Sequence, residues 1–231
     1  ISVAQLAERF KVSEVTIRKD LSYLEQQKKL YRTHGSAILI SPYISDRHVN
    51  EKEKRNVAEK RAIGAFAASL IAQDDSIIIA SGTTVTFLAR EINPAGHLTA
   101  ITASVPVTQI LSQCPDVDVI QLGGITRSSS VSVVGPFAEQ MLRSFNCSKL
   151  FIGVDGIDTE FGLTTTNMLE ASLNGAMIDA AQKVIVLADS SKFGRRGFSK
   201  ICDLESVDRI ITDSGVQSVF LHRLRGRGGG G

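Results

Sequence analysis

Cysteine is scarce and badly placed for cross-linking. Cys114, Cys147 and Cys202 are odd in number, scattered and without C-x-x-C spacing, which excludes a disulfide framework and a cysteine zinc site. They read as buried, reduced thiols. No apolar run approaches the roughly 18 residues that would span a bilayer, and no cleavable signal pattern opens the chain. A soluble, cytoplasmic protein without a membrane partner is expected. The four histidines, His34, His48, His97 and His222, show no metal-ligand spacing, and no H-E-x-x-H occurs. Neither a metal site nor a cofactor is therefore expected. No Walker pattern occurs, and no G-x-G-x-x-G follows a strand and opens a helix, the terminal glycine run aside, which disfavours a nucleotide-binding module.

Charge of one sign is lacking overall, since 26 Lys+Arg face 24 Asp+Glu for a net +2. The distribution is uneven. Residues 1 to 61 hold 13 Lys+Arg against 8 Asp+Glu, or +5, and the remaining 170 hold 13 against 16, or −3. The basic end is the one suited to meet an anion. With 231 residues, 43% of them hydrophobic, the chain can bury a real core and suits one large domain, or one small and one medium.

The basic end reads as two short helices. Ser2 followed by Gln5 forms a capping-box pattern, and Val3, Leu6, Ala7 and Phe10 make an apolar face. A tight connection at Lys11-Val12 leads to a second N-cap, Ser13. In "VSEVTIRKDLSYLE" Ile17, Leu21 and Leu24 recur at i, i+4, i+7 and define one buried stripe, leaving Thr16, Arg18 and Lys19 to face elsewhere. So brief a turn between two helices predicts helix-turn-helix. "LYRTHGSAILI" then places two short strands around Thr33-His34-Gly35-Ser36, a hairpin or wing. Residues 41–49, broken by Pro42, suit a linker.

From Asn50 to about Ile71 the pattern predicts one long helix. Strand and helix alternate thereafter, with apolar strands at 76–81, 98–103, 117–122, 149–154, 183–188 and 208–212. Strands apolar throughout and separated by helices predict a mainly parallel, Rossmann-like α/β domain over residues 50–221. Both ends of the chain look altered. It opens without methionine, and "RLRGRGGGG" resembles a linker, so residues 222–231 read as a non-native or disordered tail.

Ligands of open parallel sheets bind beyond the carboxyl ends of the strands. Those ends here carry Ser81-Gly82-Thr83-Thr84, Ser104, Gly123-Gly124, Asp155-Gly156 and, after Asp189, Lys192. Glycines admit an oxyanion to the backbone, helix starts offer free N–H groups, hydroxyls donate and Lys192 adds charge. One phosphate-sized site accounts for them together, although each motif alone is as well explained by turns and caps. Asp155, Asp158 and Glu170 could serve proton transfer on a sugar, or cap turns and helices.

"VSEVTIRKDLSYLEQQKKLYRTHGSA" resembles the N-terminal signature of the DeoR family of bacterial transcription regulators. "SGTTVTFLA", "LGGITRSSSVSVVG", "VDGID", "GLTTTNMLEA" and "ADSSKFGRRGF" resemble that family's effector domain in the same order, over residues 1 to about 214. The resemblance implies a winged helix-turn-helix over residues 1–40, with a first helix missing ahead of Ser2, joined to a sensor with a fold like ribose-5-phosphate isomerase. It implies a repressor of carbohydrate genes, released from operator DNA by a phosphorylated sugar or derivative and working as a homo-oligomer, dimer or larger. Ser13, Thr16, Arg18 and Lys19 fall on its recognition-helix signature, and His34 on its wing. Ala80 and Ala103 stand where the family usually has an acid and an asparagine, which implies a different effector. A sugar-phosphate isomerase, with Asp155, Asp158 or Glu170 as base, is the alternative.

Overall fold

A computed structural model describes residues 2–27, 30–33, 36–39 and 49–227. Helix α1 (Val3–Phe10) starts at Ser2, whose hydroxyl accepts the Gln5 N–H at 3.1 Å while the Gln5 side chain accepts the Ser2 N–H at 2.9 Å. That reciprocal cap satisfies two of the donors a helix start leaves free. Lys11 then enters the left-handed region (φ 54°), which ends α1 and turns the chain within three residues into α2 (Glu14–Gln26), capped by Ser13. Val3, Ala7, Ile17 and Leu21 close a small core, joined by Leu6 and Leu24. Strands β1 (Leu30–Thr33) and β2 (Ser36–Leu39) pair antiparallel with Thr33 opposite Ser36, completing the winged arrangement. His34, expected on the wing, and residues 41–48 of the linker expected at 41–49 lie outside the described residues, while Val49 already begins a helix.

The long helix expected from Asn50 to Ile71 is two helices. α3 (Val49–Glu53) and α4 (Val57–Ala68) are separated at Asn56, which is left-handed at φ 50°. Asparagine tolerates that conformation better than its neighbours would, and its Nδ2 is anchored by donating to Asp189 Oδ1 at 2.7 Å. Lys60, 3% exposed, reaches back from α4 and donates to the Lys52 carbonyl at 2.5 Å and the Arg55 carbonyl at 2.6 Å. Those carbonyls lie at and just beyond the end of α3, where intrahelical donors run out.

Beyond α4 come β3 (Ser76–Ile79), α5 (Thr83–Glu91), β4 (Leu98–Thr102), α6 (Val105–Leu111) and β5 (Val117–Gln121). A short antiparallel hairpin of β6 (Ile125–Arg127) and β7 (Ser132–Val134) precedes α7 (Pro136–Leu142) and β8 (Lys149–Gly153). β9 (Gly156–Asp158) and β10 (Gly162–Thr165) lead to α8 (Met168–Asp179) and β11 (Val184–Leu187). β12 (Ser199–Cys202), β13 (Arg209–Ile211) and α9 (Ser218–Arg227) complete the chain.

Six strands form one parallel sheet in the order β13-β11-β8-β3-β4-β5. Side chains alternate between its faces, as the pleat requires. Ile77 and Ile79 pack with α4 and α5 through Ile63, Ala67, Val85 and Leu88, while Ile78 and Ala80 join Leu142, Leu173 and Met177 from α7 and α8. Burial on both faces explains the apolar runs. The antiparallel β12-β10-β9 sheet and the β6–β7 hairpin were not anticipated, because strands of three or four residues are too short for period-two alternation to register.

The tail expected from residue 222 is not where the fold stops. Residues 222–227 continue α9, which is anchored by Phe220, 3% exposed, its ring tilted by 53° against that of Phe193 with centroids 6.2 Å apart. Arg223 from this helix donates to Glu25 of α2 at 3.0 Å. Composition alone suggested a linker; the apolar anchor one turn earlier carries the helix onward. Among the described residues, no helix is long and apolar enough to cross a membrane.

Candidate effector cleft and DNA-reading helix

Strand order fixes where a ligand can enter. From β3 the chain winds outward through β4 and β5, and the strands on the other side, beginning with β8, come later. Connections diverge between β3 and β8, so a crevice opens beyond their carboxyl ends. A small cleft of about 60 Å³, partly open to solvent, lies there. Ser81, Gly82, Thr83 and Thr84 line it from the β3 end, and Gly153, Val154 and Asp155 from the β8 end. Six of the nine expected effector residues thus meet in one place: Ser81, Gly82, Thr83, Thr84, Asp155 and Lys192.

Three do not. Ser104 is 1% exposed and caps α6, its hydroxyl accepting the Val107 N–H at 3.4 Å. Gly123 donates its N–H toward Met141 Sδ at 3.4 Å, and Gly124 passes so close to Val134 that a Cβ would fall 2.6 Å from its carbonyl oxygen. Small size at 124 serves the entry to the β6–β7 hairpin rather than an approaching anion. Asp158, one of the carboxylates weighed as a base, is also elsewhere. It is fully buried, paired with Arg196 at 2.9 Å, and accepts the N–H groups of Glu160 and Phe161 at 2.9 and 2.8 Å. Its role is to fold the β9–β10 turn.

The cleft's cationic end is built by three elements. Gly82, at φ 130° a conformation few side chains allow, caps α5 and sets the start of that helix in the wall of the cleft. Lys52 from α3 donates to Asp155 Oδ1 at 2.9 Å, and Lys192 Nζ lies 3.8 Å from the same oxygen. Thr165 and Thr166 donate to Asp155 Oδ2 at 3.2 and 3.5 Å. Burial pushes the Asp155 carboxyl upward, yet the two lysines and Thr165 outweigh it and hold the group below the usual carboxylate range. Burial pulls the Lys192 ammonium below the ordinary lysine range, against the opposing pull of Asp155 and Asp189. Lys60, behind the cleft, is lowered by burial in the same way, with Asp189 opposing.

A second, neutral-to-acidic end is formed by residues the sequence did not single out together. Glu170 and Asn174 stand one turn apart on α8, facing Ser129 and Ser130 from the β6–β7 turn. Arg127 Nε approaches Glu170 Oε1 at 3.3 Å and its guanidinium also donates to Ser129 Oγ at 2.7 Å. Val49, the first residue of α3, donates its N–H to the Ser129 carbonyl at 2.7 Å.

On the other domain, Ser13 caps α2, its hydroxyl accepting the Thr16 N–H at 3.1 Å and lying 2.9 Å from the Thr16 hydroxyl. Ser13, Thr16, Arg18 and Lys19 are all exposed, while Ile17 and Leu21 of the same helix are buried. Arg18 is paired to Glu14 at 2.5 Å.

A DeoR-like helix-turn-helix domain matches residues 1–43, and a DeoR C terminal sensor domain matches residues 55–214. The chain belongs to the DeoR family. An HTH-type transcriptional regulator of Bacillus subtilis (strain 168), YulB, is 40% identical over 97% of this chain and 86% of its own length. The lactose phosphotransferase system repressor of Streptococcus mutans is 36% identical over 92% of this chain and 85% of its own. Among solved structures, eIF2B beta from Chaetomium thermophilum resembles the fold, with a TM-score of 0.51 and 18% identity over 74% of this chain and 52% of that one. The DeoR pairing of a DNA-binding domain with a sensor is that of a transcriptional regulator, and no enzyme is indicated.

Proposed function

We propose that this DeoR-family regulator represses genes of carbohydrate use and leaves its operator when a phosphorylated sugar, or a derivative of one, occupies the cleft between the ends of β3 and β8. The observation that carries the reading is the convergence at that cleft of the α5 N-terminus, Lys52 and Lys192. Unpaired N–H groups at a helix start and two ammonium groups suit a phosphate monoester, whose dianion accepts from several donors at once. Glu170, Asn174 and the serines suit the hydroxylated remainder of such a molecule. Relatives named as repressors of sugar systems support the same reading.

On this reading α2 lies in the major groove, with Arg18 and Lys19 reaching guanine edges or phosphates and Ser13 and Thr16 approaching bases and backbone. Operators read by such helices are two half-sites, so the working form is a homo-oligomer, dimer or larger, acting beside the chromosome in the cytoplasm. Fluorescence anisotropy of labelled operator, titrated with triose, pentose and hexose phosphates, tests the proposal. Release by one of them at micromolar to millimolar concentration is expected. Operator binding that no phosphorylated sugar weakens would remove the effector assignment.

A further inference from the structure

We infer that Glu170 and Asn174 form a separate hydroxyl-reading subsite of the cleft and that Asn174 sets which phosphorylated sugar is recognised. This rests on the effector reading above. Asn174 is 7% exposed, lines the cleft and has no hydrogen-bond partner among the described residues. Its amide is open to the cleft and not engaged by the fold, so both its donor and its acceptor are available to a molecule that enters. Its place on α8 is not forced by packing, since Leu173 and Met177 already supply the buried apolar contacts there.

A second shortage of partners lies one turn earlier. The Thr165 hydroxyl stands 3.2 Å from Asp155 Oδ2 and 3.2 Å from Glu170 Oε2. It has one proton, so it can serve only one of the two carboxylates at a time. Asp155 has Lys52, Lys192 and Thr166 as well. When Thr165 turns to Asp155, Glu170 Oε2 is left to accept from the cleft. Glu170 Oε1 faces Arg127 at ion-pair distance and makes no aligned hydrogen bond.

The chemistry of the missing partner follows. Glu170 only accepts, whereas the Asn174 amide both donates and accepts. A hydroxyl matches the pair: its proton goes to Glu170 and its oxygen receives the Asn174 N–H. A ligand ammonium fits less well, because Arg127 already neutralises Glu170. The phosphate remains with Lys192 and the α5 start, so loss of Asn174 should cost recognition of the sugar and leave recognition of the anion.

Isothermal titration of the full chain with inorganic phosphate, glycerol 3-phosphate, ribose 5-phosphate, glucose 6-phosphate and fructose 6-phosphate separates these roles. For the sugar phosphate the parent binds most tightly, Asn174→Ala should weaken binding about tenfold while inorganic phosphate changes less than about twofold. Asn174→Leu, close in size but without a donor or an acceptor, should do the same, which guards against a folding defect of the alanine variant. Lys192→Ala should weaken both probes. Unchanged sugar-phosphate affinity in both Asn174 variants, or an equal loss for sugar phosphate and inorganic phosphate, would overturn the subsite. If the parent binds every sugar phosphate no better than inorganic phosphate, the sugar reading itself falls with it.

Discussion

Lys52 Nζ and Asp155 Oδ1 stand 2.9 Å apart although 103 residues separate them in the chain. The contact joins α3, which precedes the whole sensor sheet, to the strand end at the mouth of the cleft. An anion entering there meets a lysine already occupied by a carboxylate, and competes with it.

Asp155→Asn should therefore strengthen binding of inorganic phosphate, because it leaves Lys52 and Lys192 without their shared counter-charge. An improvement of about tenfold corresponds to one charge-assisted contact released to the ligand. The same variant should be less stable when unliganded, since two partly buried ammonium groups lose their partner. Calorimetry with phosphate and thermal denaturation without it check both signs. Weaker phosphate binding would show that Asp155 positions the lysines more than it competes with the ligand.

Thr83→Ala and Lys192→Ala should behave as super-repressors. Each removes a donor from the anion end, and losing a hydrogen bond to a charged group costs about 1.5 to 3 kcal/mol. Neither residue belongs to the DNA-reading face, so operator affinity without effector should stay near that of the parent. Coupling between the sites then makes poorer binding into poorer release. Release of both variants at the parent's effector concentration would place the phosphate elsewhere.

Effector affinity should have two pH limbs. It rises as the phosphate monoester becomes a dianion near about pH 6. It falls again at alkaline pH, and the sign follows from Lys192: its pKa in the free protein lies below the ordinary value of 10.5, so the ammonium is lost earlier than on a surface lysine. Binding that needs the charge weakens once pH passes that lowered value. Lys192→Arg, with a guanidinium that does not deprotonate in this range, should flatten the alkaline limb. An identical limb in that variant would assign it to another group.

Arg18→Ala should weaken operator binding by about 1 to 3 kcal/mol if the side chain reads a base, and Lys19→Ala should reduce the salt dependence by about one phosphate contact. Both side chains are exposed, so folding should be unaffected. Equal operator affinity and an equal salt slope in both variants would take α2 out of the groove.

Much of the architecture was legible because the sheet is covered on both sides. Strands such as Ile77-Ile78-Ile79 are apolar at every position, and only a buried parallel strand asks for that. The Gly82-Thr83-Thr84 turn was legible as a strand end leading into a helix start, although turns and caps use the same residues, and only its coincidence with other strand ends pointed to a cleft. Lys52 was not. It sits in "NEKEKR", where charge alternates and nothing distinguishes one lysine from its neighbours. Only the left-handed turn at Asn56, in a stretch without glycine or proline, folds α3 back across the cleft. Asn174 was hidden differently, on a helix flank and not at a strand end, so its neighbourhood with Glu170 needed the register of α8. Ser104 and Gly124 misled because caps and tight turns use the same residue types as anion sites.

The turn at Asn56 has a mechanical meaning. α3 carries only five residues, and polar bonds tie it to the body of the sensor: Lys52 to Asp155, Glu53 to Arg90, Val49 to the Ser129 carbonyl, and Asn56 with Lys60 at its base. A lever fastened by apolar packing resists any ligand that brings only charge and hydroxyls. This one is latched by the same kinds of bond that a sugar phosphate makes, at the place where the sugar phosphate is proposed to bind. On that proposal an arriving phosphate competes with Asp155 for Lys52, so filling the cleft exchanges one of the bonds that hold α3.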